Sequence, residues 1–126
     1  MSRQIIKTDR APGAIGPYNQ GVRAGGFLFT AGQIPLDPKT MEVVGATAAE
    51  QARQALLNAK GIVEAAGLTM SDVIKATVFI RDMGQFGAIN EVYATFFPGE
   101  PPARSVVEVS RLPKDVLVEV ELVAYA

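Results

Sequence analysis

The sequence predicts an α+β sandwich in which two helices pack on one face of a mixed β-sheet. Three observations carry that prediction. Segments with strand and helix signals follow one another as strand, hairpin, helix, strand, helix, strand, strand. The first helical segment bears a single apolar stripe of small and branched residues, Ala52, Ala55, Leu56, Ala59, Ile62, Val63 and Ala66, which suits close approach to a sheet. The strand candidates at 73–81 and 116–125 each carry one wholly apolar face, as a half-buried strand should. With 126 residues, 48% hydrophobic and 20% charged, the chain reads as one soluble domain spanning 1–126.

Residues 3–7 are a short strand candidate, and 11–17 after them are too rich in Gly and Pro for regular structure. Strands at 21–25 and 27–33 flank Gly25-Gly26, a pair suited to a tight hairpin because glycine accepts positive φ without strain. A turn at 36–41 leads to a brief extended stretch at Val43-Val44. The helix at 47–66 is well marked: Thr47 and Glu50 form a capping box, and Gly67 sits where a left-handed C-terminal cap belongs. In the strand at 73–81, Ile74, Ala76, Val78 and Ile80 alternate with Lys75, Thr77 and Arg81. A second helix is predicted over 85–97, with Phe86, Ile89, Tyr93, Phe96 and Phe97 at helical spacing and Pro98 closing it. The last strands are 104–109 and 116–125. The sheet's second face is not uniformly polar, and its burial against other copies of the chain is expected.

Composition bounds the chemistry. The chain has no Cys and no His, so it cannot build a thiolate nucleophile, a Ser-His-Asp triad or a Cys/His zinc site. Its net charge of −1 offers no electropositive stripe, which makes nucleic acid a poor partner. Neither a signal peptide nor a membrane span is read, and the lack of cysteine fits a cytoplasmic protein.

Register points to a site. If the last two strands pair antiparallel with Val107, Val109, Val116, Val118, Val120 and Leu122 on the core face, then Arg104, Val106 and Glu108 share the other face with Glu119 and Glu121. A guanidinium then meets two carboxylates, and Arg104 favours the ionised form of Glu119. A solvated salt-bridge face is the plain interpretation. Against it stand the Pro101-Pro102-Ala103 run before Arg104 and the lone charge of Glu119 inside Val116-Leu-Val-Glu-Val120.

Gly16-Pro-Tyr-Asn-Gln20, Thr30-Ala-Gly-Gln-Ile-Pro35, Pro102-Ala-Arg-Ser105, Arg111-Leu-Pro-Lys-Asp115 and Val118-Glu-Val-Glu121, in this order and spread almost end to end, resemble the RidA family. These are the YjgF-type reactive-intermediate or imine deaminases. The resemblance implies a chorismate-mutase-like fold, a homotrimer with sites in clefts between subunits, and no metal or cofactor. It implies hydrolysis of 2-imino acids such as 2-iminobutanoate and 2-iminopropanoate, released by pyridoxal-phosphate enzymes, to 2-oxo acids and ammonia. It makes Arg104 the anchor of the substrate carboxylate, which suits a planar guanidinium, and Glu119 the group that positions and deprotonates the attacking water. The same resemblance implies that Tyr18 would cover the substrate, Gly32 would offer a backbone N–H, and the Val106 carbonyl would help to hold the water, although each also fits plain packing or turn structure.

Asn90 shares a helix stripe with Phe86, Tyr93 and Phe97, and its amide needs partners either on the helix surface or in the site. Lys60, Lys75 and Lys114 could in principle serve as Schiff-base amines, but with Lys60 expected on the exposed side of its helix and Lys114 in a turn a lysine mechanism is disfavoured. The chain departs from the family pattern at Val106, where many members carry a cysteine, at Ala31, where a serine is common, and in a shorter 98–101 loop. The alternative function is a non-catalytic trimer that binds small carboxylates or partner proteins as a regulatory module. Glu119 discriminates, because a pure carboxylate binder gains nothing from an anion beside its ligand. An endoribonuclease, as some relatives have been described, is disfavoured by the charge and the absent His.

Overall fold

The computed structural model describes residues 2–126. The chain runs β1 (Gln4–Ile6), β2 (Gly21–Ala24), β3 (Phe27–Thr30), α1 (Ala48–Ala65), β4 (Val73–Ile80), α2 (Phe86–Ala94), β5 (Ala103–Glu108) and β6 (Val118–Tyr125). Short 3-10 turns at Met70–Asp72, Met83–Gln85 and Pro113–Asp115 had no counterpart in the sequence pattern. The strands form one mixed sheet in the order β1-β2-β3-β6-β4-β5. Both helices lie on one face, as predicted, and the core fills the space between.

The ends of α1 are where the capping residues put them. The Glu50 N–H donates to Thr47 Oγ1 at 3.2 Å, the Thr47 N–H donates to Glu50 Oε1 at 3.0 Å, and Gly67 takes φ 85° just past the helix. Ala52, Ala55, Ala59, Ile62 and Val63 are fully buried against the inner face of the sheet, where Val118, Val120, Leu122 and Ala124 of β6 meet them. Three alanines in that stripe let the helix come close to the strands. The second helix is shorter than predicted, ending at Ala94, because the Thr95 hydroxyl donates back to the Val92 carbonyl at 2.7 Å and Pro98 blocks continuation.

The pairing expected for the last two strands is corrected. β5 does not pair with β6. It runs parallel to β4 at the edge of the sheet, reached through α2 as a crossover, while β6 inserts between β3 and β4 and is antiparallel to both. The two valines Val106 and Val107 left the face of β5 ambiguous, and the expected parity is reversed. Val106 packs toward the core and Val107 is 42% exposed on the other face. Ile74 is likewise turned out of the core, since a register irregularity between Val73 and Lys75 buries Val73 instead.

The predicted strand at 27–33 is interrupted. Phe29 pairs with Val123 and Gln33 bridges to Val120, so the β3 side advances four residues while the β6 side advances three. The extra residue makes a β-bulge. At its start Thr30 Oγ1 takes the Leu122 N–H at 3.0 Å in place of a backbone carbonyl.

Candidate active site

Glu119 stands on β6 across from Phe79 of β4, on the face away from the helices. Flanking Val118 and Val120 are buried in the core, so alternation alone drives its side chain outward. The bulge then brings Ala31 and Gly32 alongside it, fastened by the Gln33 N–H donating to the Val120 carbonyl at 2.7 Å. Gly32 is required there because a Cβ would fall on the Glu119 carboxylate. Ile15, Tyr18, Ile34, Pro113 and Lys114 complete a cleft of about 530 Å³. The Tyr18 hydroxyl accepts the Ile15 N–H at 3.1 Å, a bond internal to the Gly- and Pro-rich loop that lines this mouth.

Half-burial pushes the Glu119 carboxyl above the usual glutamate range, and Glu121, two residues along on the same face, adds to the rise. Arg104 does not favour the ionised form within the chain, contrary to the sequence-based expectation, because it lies on the other side of the sheet. Register fixes this: Arg104 is level with Ala76 and Val106 with Val78, on the helix side, whereas Glu119 is level with Phe79 and Glu121 with Thr77.

Arg104 occupies a second cleft of about 450 Å³, bounded by Asn90, Tyr93 and Phe97 of the α2 region and by Gly99, Pro101 and Pro102. Its Nη1 donates to Asn90 Oδ1 at 2.7 Å. Among the described residues the ion pairs are Arg10–Glu64 and Arg111–Asp115, so neither Arg104 nor Glu119 is matched by an opposite charge. Of the predicted site residues, Glu119, Tyr18 and Gly32 gather in the first cleft, Arg104 and Asn90 in the second, and Val106 lies on edge strand β5 beside neither carboxylate. Lys75 donates to Ser105 Oγ at 3.1 Å, and Lys60 is on α1. Lys114 lines the Glu119 cleft, in a turn where it and Asp115 take φ of 56° and 55°. Sequence reasoning noted the Arg111–Asp115 motif but not that its turn walls the cleft. Among the described residues no group of three or more His, Cys, Asp or Glu is placed to hold a metal ion.

Comparison with known proteins decides the family. The family described as Endoribonuclease L-PSP matches residues 8–126. The chain belongs to it. This is the RidA or YjgF family that the motifs resemble. The RutC family protein PH0854 of Pyrococcus horikoshii is 56% identical over 123 residues, 98% of each chain. A 2-iminobutanoate/2-iminopropanoate deaminase of Escherichia coli is 54% identical over 124 residues, 96% of each chain. The crystal structure of E. coli TdcF with bound serine superposes with a TM-score of 0.94 at 54% identity, covering 98% of each chain. The RidA-family architecture, a six-stranded mixed sheet with two helices, is thus the one observed.

The Gly32 contact gives a test. Its φ is not in the left-handed region, and a Cβ would meet only the mobile end of a side chain. Gly32→Ala is therefore expected to fold with a melting temperature close to the parent while displacing the Glu119 carboxylate, a shift that a crystal structure of the variant should show. An undisplaced Glu119 carboxylate in Gly32→Ala would show that the residue at 32 does not set its position.

Proposed function

We propose that the protein hydrolyses 2-imino acids to 2-oxo acids and ammonia, in sites completed between copies of the chain in a homotrimer. The observation that carries the reading is the separation of two unmatched charges: a guanidinium in one cleft and a carboxylate in another, on opposite faces and with β4 between their strands. Neither cleft holds both halves of a site for an anionic, hydrolysable substrate. A second copy laid against the outer face supplies the missing half. That face asks for cover, with Phe27 42%, Phe29 50%, Val107 42% and Tyr125 51% exposed, and with Phe27 and Tyr125 rings 4.7 Å apart.

In the assembled site Arg104 of one copy grips the α-carboxylate through two parallel N–H bonds. The imine carbon then faces Glu119 of the neighbour, under Tyr18 and beside the Gly32 N–H, with the Val106 carbonyl on the Arg104 side sharing the water. Glu119 takes a proton from water as the oxygen bonds to C2, and passes it to the imine nitrogen. It then accepts the hydroxyl proton and delivers it to nitrogen as the C–N bond breaks, so ammonia leaves, the 2-oxo acid forms and the carboxylate is restored. The raised pKa of Glu119 makes its carboxylate a stronger base than an ordinary glutamate. The chemistry needs an already electrophilic C=N carbon, a held water and one shuttle, and it uses none of the residue types the chain lacks. The E. coli deaminase and the serine-bound TdcF, both 54% identical, support a small amino-acid-derived ligand.

The decisive assay generates 2-iminobutanoate or 2-iminopropanoate with an amino-acid-consuming enzyme and follows 2-oxo acid formation with and without the protein. Acceleration is expected. None with several imino acids, alongside retained carboxylate binding, would favour the binding module. Assembly is tested by Phe29→Lys, which alters neither cleft: light scattering should give one-third of the parental mass, and imine hydrolysis should vanish with it. A fully active monomer would contradict the shared site.

A further inference from the structure

We propose that Phe86 and Tyr93 are positioning residues for Arg104, forming with Asn90 a cradle on α2 that holds the guanidinium ready for a carboxylate. The inference rests on the reading of Arg104 as the carboxylate anchor. The Arg104 Cζ lies 4.7 Å from the centre of the Tyr93 ring and 5.4 Å from that of the Phe86 ring, and its Nη1 is bonded to Asn90 Oδ1 at 2.7 Å. Residues 86, 90 and 93 share one stripe of the helix, so α2 presents two rings and an amide oxygen to one side chain.

The physical point is what such a cradle leaves free. An acidic partner would order Arg104 equally well, but it would occupy the donor edge and cancel the charge that a substrate needs. Aromatic rings attract the cation through their faces and take up none of its N–H groups. Asn90 is the only hydrogen-bond partner of the guanidinium among the described residues and takes one of its five donors, leaving a two-pronged edge for a carboxylate. The side-chain freedom that an isolated arginine would lose on binding is already lost.

Tyr93 acts through its ring. The residue is 5% exposed, and its hydroxyl is buried without a hydrogen-bond partner. Burial also raises the phenol pKa, so a neutral ring meets the cation. The hydroxyl is therefore dispensable for this role and the ring is not.

The test compares Tyr93→Phe, Tyr93→Leu and Phe86→Leu in steady-state imine hydrolysis, with the Arg104 δ protons followed by NMR. Tyr93→Phe should keep KM within about twofold. Tyr93→Leu and Phe86→Leu should raise KM roughly tenfold, the range of a desolvated cation–π contact, with kcat little changed. In an Arg104→Lys background the same leucine substitutions should add nothing further. The δ protons should be shifted upfield by the rings in the parent and in Tyr93→Phe, and should return toward ordinary positions in Tyr93→Leu. Parental KM in folded Phe86→Leu, or equal losses in Tyr93→Phe and Tyr93→Leu, would overturn the proposal. If no variant, nor the parent, hydrolyses imines, the deaminase reading falls, and the cradle stands or falls on the NMR shifts alone: unshifted protons in the parent overturn it.

Discussion

Glu119→Gln is expected to cut kcat for 2-iminobutanoate hydrolysis by about a hundredfold to ten-thousandfold, the usual contribution of a positioned general base. KM should change little, since in the proposed site Arg104 holds the substrate carboxylate, and the proposed trimer should persist because the Glu119 side chain forms no ion pair among the described residues. The folded-state pKa of Glu119 is raised by burial and by Glu121. Stability from the protonated group is therefore full below the unfolded pKa and is lost as pH rises through the folded one, so above the folded pKa the ionised carboxylate costs stability. Glu119→Gln should melt no lower than the parent, and higher if the charge dominates. Glu121→Gln is the control: it should keep most of kcat while moving the acid limb of the kcat profile to lower pH, because the like charge that raises Glu119 is gone. Full activity in Glu119→Gln with loss in Glu121→Gln would assign the base to the wrong carboxylate.

Arg104→Lys should lower kcat/KM by about tenfold to a hundredfold even though the charge is kept, as a lost charged hydrogen-bond pair is worth roughly 1.5–3 kcal/mol. An ammonium cannot offer two parallel N–H bonds, and it stacks less well between Phe86 and Tyr93 than a planar guanidinium does. The loss should appear mainly in KM. Near-parental kinetics in a folded Arg104→Lys trimer would make the arginine structural.

The residues that were legible and those that were not differ in a physical way. Thr47, Glu50 and Gly67 announced the first helix because capping is decided within a few residues, and the alternation of Val118, Val120, Leu122 and Ala124 announced a strand whose outward residues include Glu119. Pairing is decided by the whole sheet. Nine residues separate β5 from β6, which invited a hairpin, yet β6, like β4, has a wholly apolar inner face and lies inside the sheet, while β5, entered through Pro101-Pro102 and carrying Arg104 and Glu108, fits an edge. The family motifs pointed to Arg104 and Glu119, and each of the two lines a cleft. They did not convey that the two side chains leave opposite faces of the sheet, nor that a bulge after Thr30 carries Gly32 against Glu119. The aromatic residues around Arg104 read as core by spacing, since a helical stripe looks the same whether it packs on carbon or on a guanidinium.

The shared site is tested most directly by complementation. Arg104→Ala and Glu119→Gln each leave one half of the proposed site intact and should each be inactive alone. Unfolded together in equal amounts and refolded, they form mixed trimers in which about one boundary in four joins an intact Arg104 to an intact Glu119. Imine hydrolysis should recover to about a quarter of the parental rate. Activity no greater than that of the two variants refolded separately, in trimers shown by mass to be mixed, would place both residues' action within one chain and contradict the account.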